Sequence, residues 1–173
     1  MNNSSNALFV IVFAPLVGII WLWLNRRQLE PNSIIKFGIG FLFLGLCFFI
    51  FGWLKATGDA NGIASLNMFT FGYFVVTLGE ICLSPIGLSL MTKLATPKLQ
   101  GFMMGMWFLA SAYGQYVAGL FGAAISPAET ASATEKLNTY CAGYNQFAWY
   151  AIYSGISIVL ISPLLKKLKG EVK

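Results

Sequence analysis

Five apolar segments, each long enough to cross a hydrocarbon core of ~30 Å, occupy residues 7–24, 34–54, 67–94, 99–125 and 144–165. Short polar connections separate them: RRQLEPNS, KATGDANG and ATPKLQ, with a longer SPAETASATEKLNTYCAG before the last. This layout leaves few folds open. In lipid every backbone N–H and C=O must find its partner within the protein, so only helices and closed barrels can span. No alternation of apolar and polar residues supports strands. The composition agrees: 57% of residues are hydrophobic and 10% charged, against roughly 25% charged in soluble domains. The predicted class is an all-α integral membrane protein with five transmembrane helices in a lipid bilayer. Thr96-Pro97 reads as a helix start, with Thr96 as N-cap and Pro97 at the first helical position.

The basic residues give an orientation. One set of connections holds Arg26, Arg27, Lys36, Lys93, Lys98, Lys166, Lys167, Lys169 and Lys173, while the other holds only Lys55 and Lys136 beside Asp59, Glu129 and Glu135. The positive-inside rule then puts the N-terminus outside and the C-terminus in the cytoplasm of a multi-pass protein of the cell (inner) membrane. The N-terminal MNNSSN lacks the basic n-region of a cleavable signal peptide. A net charge of +5 resides in these connections and implies no nucleic-acid partner. Cys47, Cys82 and Cys141 form no disulfide pattern, and the first two read as small hydrophobes in apolar runs. With no histidine, no metal-ligand cluster and no nucleophile–base pair, neither a metal, a cofactor nor an enzymatic reaction is expected.

Glu80 is the one carboxylate set deep in an apolar run, MFTFGYFVVTLGEICLSPIGLSLM. It lies ~20 Å from either end at 1.5 Å per residue, too far for a short side chain to reach water. An ionised group there costs at least ~3 kcal/mol on insertion scales, so it marks a functional site. Thr77 and Ser84 lie one turn to either side on the same face. Pro85 withholds an N–H from the Ile81 carbonyl, so Ser84 and Pro85 mark a candidate helix break or gating point of the kind transporters use. A carboxyl group there can pair with a peptide or amine ammonium, or carry a proton. The alternative is a permanently neutral Glu80 bonding between helices.

Trp107 sits about nine residues into its segment, ~14 Å deep and below the interfacial aromatic belt. Ser111 and Gln115 follow it at four-residue steps. That stripe suits a cavity wall in which Trp107 packs on a substrate, and equally a packed interior with polar side chains bonding to neighbouring helices. Beside it runs a ladder of small residues, Ala110, Gly114, Ala118 and Gly122, and Gly101 with Gly105 adds a GxxxG. Both read as close helix packing, as do Pro15, Ser154, Ser157 and Ser162.

Residues 77–119, TLGEICLSPIGLSLMTKLATPKLQGFMMGMWFLASAYGQYVAG, resemble the tenth and eleventh helices of the proton-dependent oligopeptide transporter family of the major facilitator superfamily. The pieces GE, SPIGLS, TKLA and MMGMWFL stand in that family's order and spacing. Upstream, SSNALFV resembles its eighth helix and EPNSIIKFGIGFLFLGL the entry to its ninth. The resemblance implies a partial C-terminal six-helix bundle, helices eight to twelve, of a major facilitator fold. It implies that Glu80 receives a peptide's amino group, that Asn6 contacts the peptide backbone, and that Trp107 and Ser111 line the pocket. Di- and tripeptides would be the substrates and protons the coupling ion. The family usually has proline after that asparagine, where this chain has Ala7. Nothing matches the family's first-helix proton-coupling motif, its fourth-helix basic residue or its seventh helix. The chain is therefore expected not to transport without further helices. The competing expectations are a complete small helical membrane protein with a binding or assembly role, and a fragment of a carrier for another small solute.

Overall fold

A computed structural model describes residues 2–57, 64–128 and 130–169, all side chains among them except those of 2–5, 94 and 164–169. Among these residues there are five α-helices and no strand: α1 (Asn2–Arg26), α2 (Ser33–Thr57), α3 (Leu66–Leu94), α4 (Gln100–Ala124) and α5 (Ala133–Lys169). Asn6–Arg26, Ser33–Thr57 and Leu66–Lys93 are each long and apolar enough to cross a membrane.

The helix ends follow local chemistry. At the end of α1, Gln28 takes a positive φ of 57°, its N–H bonds to Asn25 O at 2.9 Å, and Leu29 N–H bonds to Leu24 O at 3.0 Å. This is a Schellman motif with glutamine in the position that glycine usually fills. Asn32 caps α2: its Oδ1 accepts the Ile35 N–H at 2.8 Å. Its amide also exchanges hydrogen bonds with Ser162 of α5, which is 1% exposed.

Two helix starts depart from the sequence expectation. Thr96 and Pro97 do not open α4. Leu99 N–H bonds to Thr96 O at 2.8 Å, so Pro97 takes the second position of a turn, where its fixed φ is equally at home. Leu99 is the N-cap and offers no side-chain bond. α5 begins at Ala133, inside the stretch expected as a polar connection. There Ser132 and Glu135 form a capping box: Glu135 Oε2 accepts the Ser132 N–H at 2.8 Å, and Ser132 Oγ accepts the Glu135 N–H at 3.3 Å. The spacing of SATE carries that signal without any tertiary information.

Helix α2 is the centre of the bundle, packed antiparallel against α3 and α5. On one side Gly38, Gly45 and Gly52 recur every seven residues against α5. A Cβ on Gly38 would lie 2.5 Å from Val159 Cγ2, and one on Gly45 would lie 2.7 Å from Ile152 Cγ1. On the other side Gly40 faces Gly79 of α3, and a Cβ on Gly79 would lie 2.9 Å from the Gly40 carbonyl oxygen. Close approach then seats a core of Cys47, Ile50, Phe51, Leu54, Val75 and Cys141. All three cysteines are buried free thiols.

The ladder expected to pack behaves differently. Cβ atoms on Gly101, Gly105, Gly114 or Gly122 would meet nothing within 4 Å, and α4 has no buried residue among those described. Small residues permit close approach but do not create a neighbour, and among the described residues the packed glycines are those of α2, α3 and α5.

Candidate functional site

Glu80 sits midway along α3 and is exposed, whereas Gly79 beside it is buried against α2. The 3.6-residue turn separates these two neighbours by about 100°, so the glycine meets α2 while the carboxylate points away from it. Asn6 of α1 reaches Glu80: its Nδ2 donates to Glu80 Oε2 at 3.1 Å. Thr77, one turn earlier on α3, donates to Asn6 Oδ1 at 3.0 Å and lies 2.7 Å from Tyr73 O. Phe9 and Phe13 of α1 pack edge-on against Phe74 of α3 and hold the two helices together beside this cluster. Asn6, Ala7, Val10, Ile11 and Glu80 line an open groove of about 390 Å³. Ala7 forms part of that wall. An exposed carboxylate beside small apolar side chains suits a ligand that carries an ammonium next to an apolar group.

The other sequence-predicted residues lie apart from this groove. Trp107 lays its indole on Gly87 of α3, where a Cβ would fall 2.0 Å from Cη2. Its ring also stands edge-on to Phe37 of α2, with centroids 6.3 Å apart. Ser111 returns its hydroxyl to Trp107 O at 3.0 Å. Ser84 is half-buried. The helix break expected at Ser84 and Pro85 is not formed: α3 runs through Pro85 without interruption. Proline withholds only its own N–H, and the bonds on either side keep the helix continuous.

Lys36 carries a contact the sequence reading missed. Counted there among loop charges, it is 8% exposed, paired with Glu30 and set 4.6 Å from the centroid of the Trp21 ring. An ammonium so buried needs a counter-charge, and the aromatic face adds a further attraction. Lys36, Glu30, Pro85, Ser89 and Lys93 edge a second cavity of about 330 Å³. The sequence signal was Glu30 only six positions before Lys36, a spacing with no meaning until the turn between them is known.

The fold and the groove define a helical integral membrane protein that presents one acidic side chain from midway along a spanning helix. The profile of the POT family matches residues 3–140, and the chain belongs to that family. It is 39% identical over 122 residues to "Peptide transporter YePEPT" of Yersinia enterocolitica, covering 69% of this chain and 24% of that one. It is 33% identical over 168 residues to a "Di-/tripeptide transporter" of Lactococcus lactis, covering 97% of this chain and 31% of that one. A crystal structure of a peptide transporter POT in complex with sulfate superposes with a TM-score of 0.80 at 29% identity, covering 95% of this chain and 31% of that one. A POT family transporter in complex with a thioalcohol-conjugated peptide gives 0.74 at 31% identity, covering 92% and 30%. The chain thus spans about a quarter to a third of the length of the curated relatives it matches.

Proposed function

We propose that this chain supplies the C-terminal helices of a proton-coupled symporter for di- and tripeptides, and that Glu80 receives the peptide's amino group. The observation that carries the reading is the Glu80 carboxylate, held by Asn6 at the edge of an open groove. A carboxylate accepts from an ammonium at full charge, and the apolar wall of Ala7, Val10 and Ile11 suits the first side chain of a peptide. Trp107 and Ser111 act further along the pathway, where Trp107 of α4 meets Gly87 of α3. Protons are the coupling ion, no other cofactor takes part, and the role is transport and not catalysis. The N-terminus lies outside and the C-terminus in the cytoplasm of the inner membrane.

Among the described residues the groove takes its walls from α1 and α3, and transport requires further helices. The test grafts residues 1–173 onto the remaining helices of the Yersinia relative and measures dipeptide uptake in cells without an endogenous carrier. The graft is expected to transport, and Glu80→Gln to abolish uptake while leaving the amount in the membrane unchanged. Wild-type uptake by Glu80→Gln would refute the role of Glu80. Uptake by residues 1–173 alone would refute the need for further helices.

A further inference from the structure

We infer that Thr77 is a positioning residue for Glu80, acting through the Asn6 amide; this rests on the reading of Glu80 as the peptide's anchor. Thr77 is 0% exposed and makes no contact with the groove itself, whose wall is Asn6, Ala7, Val10, Ile11 and Glu80. Its hydroxyl lies 3.0 Å from Asn6 Oδ1 and 2.7 Å from the Tyr73 carbonyl oxygen. Both oxygens can only accept, so Thr77 is the donor, its one proton shared between them in a three-centre bond. The Tyr73 carbonyl belongs to the preceding turn of α3 and fixes the hydroxyl on the helix.

The direction of this bond sets the direction of the next. With Asn6 Oδ1 engaged by Thr77, Nδ2 is the end that meets Glu80 Oε2, at 3.1 Å. Turned the other way, Asn6 would set Oδ1 against a carboxylate oxygen, two acceptors face to face. The ordered amide pins Oε2. Among the described residues Oε1 accepts no hydrogen bond, and it is the oxygen presented to an incoming ammonium. Without the Thr77 donor, the Asn6 amide loses one of its two restraints and Glu80 loses a fixed orientation.

Two substitutions separate positioning from packing. Thr77→Val keeps the branched shape and removes the donor; Thr77→Ser keeps the donor and removes a methyl. A packing role predicts that Ser does the damage, and a positioning role predicts that Val does. In the first arm, residues 1–173 labelled with ¹⁵N-asparagine are placed in lipid nanodiscs, and the Asn6 side-chain amide is assigned by its loss in Asn6→Asp. The amide protons are expected to shift in Thr77→Val and to hold their wild-type positions in Thr77→Ser. In the second arm, the graft takes up dialanine. Thr77→Val is expected to raise KM about three- to tenfold, the worth of one hydrogen bond, with Vmax little changed and Thr77→Ser restoring wild-type values. Unchanged Asn6 resonances and KM in Thr77→Val, or failure of Thr77→Ser to restore them, would overturn the inference. The amide arm is independent of transport, so failure of the peptide reading through Glu80→Gln is distinguishable from failure of this one.

Discussion

Gly79 to alanine tests the packing that holds Glu80 in place. An added Cβ would lie 2.9 Å from the Gly40 carbonyl oxygen and 3.2 Å from Phe43 Cβ. Comfortable carbon–oxygen contacts in proteins begin at about 3.3 Å and carbon–carbon contacts at about 3.5 Å. The obstacle is the backbone of α2, so the two helices must part by roughly 0.3–0.5 Å along a seam that also carries Phe51 against Gly72. Overpacking of this kind destabilises by about 1–3 kcal/mol. Alanine also raises helix propensity by ~1 kcal/mol over glycine, which would blur a measurement on Gly79 alone. Gly114→Ala supplies the comparison, because a Cβ there meets nothing within 4 Å. The propensity gain is common to both variants and cancels in their difference, leaving about 1–3 kcal/mol from packing. The assay is reversible unfolding of residues 1–173 by SDS in mixed micelles, followed by far-ultraviolet circular dichroism. Gly79→Ala is expected to unfold earlier than wild type or close to it, and Gly114→Ala no earlier than wild type. Equal stability of the two variants would refute the assignment of the packed seam to α2 and α3.

Two further outcomes follow from the polar contacts. Glu30→Gln strips the buried Lys36 of its counter-charge and is expected to destabilise by about 1–3 kcal/mol, read in the same unfolding assay; Arg27→Gln, with its guanidinium over Trp23 at the surface, should shift the midpoint far less. The backbone and side-chain bonds from Ser132 hold the Glu135 carboxyl below its ordinary value of 4.5. A depressed carboxyl pKa stabilises the folded form above 4.5, and that contribution is lost as pH falls through the lower folded value. Amide protection at the first turn of α5 is therefore expected to fall in acid below pH 4.5 in wild type and to lose that step in Glu135→Gln.

The helices were legible because twenty apolar residues in lipid have one economical way to bond their backbone. Glu80 stood out because a lone carboxylate in such a run is conspicuous without any neighbour. The glycine ladder of α4 was legible as a pattern and misleading as a contact. Ala110, Gly114, Ala118 and Gly122 share the four-residue spacing of packing motifs, yet the seven-residue repeat of Gly38, Gly45 and Gly52 carries the seam against α5. Spacing says which residues share a face; only the partner helix says which face is covered. Trp107 shows the same limit, since its depth could be counted but Gly87 and Phe37 could not be foreseen.

By itself the sequence determined an all-helical chain, the positions of its apolar runs and the acid in the middle of one. Those properties are local, written in composition and in spacing within a single segment. The tertiary structure decided that Asn6 and Thr77, 71 residues apart, bond to each other, and that Asn6 also meets Glu80, 74 residues away. It decided too that Lys36 is buried beside Trp21. Such groupings depend on where α1 lies along α3, a position held by Phe9 and Phe13 against Phe74 and not by glycine, since a Cβ on Gly18 of α1 would meet nothing within 4 Å. A lone midplane carboxylate becomes an oriented acceptor only when that approach brings a second helix within hydrogen-bond reach.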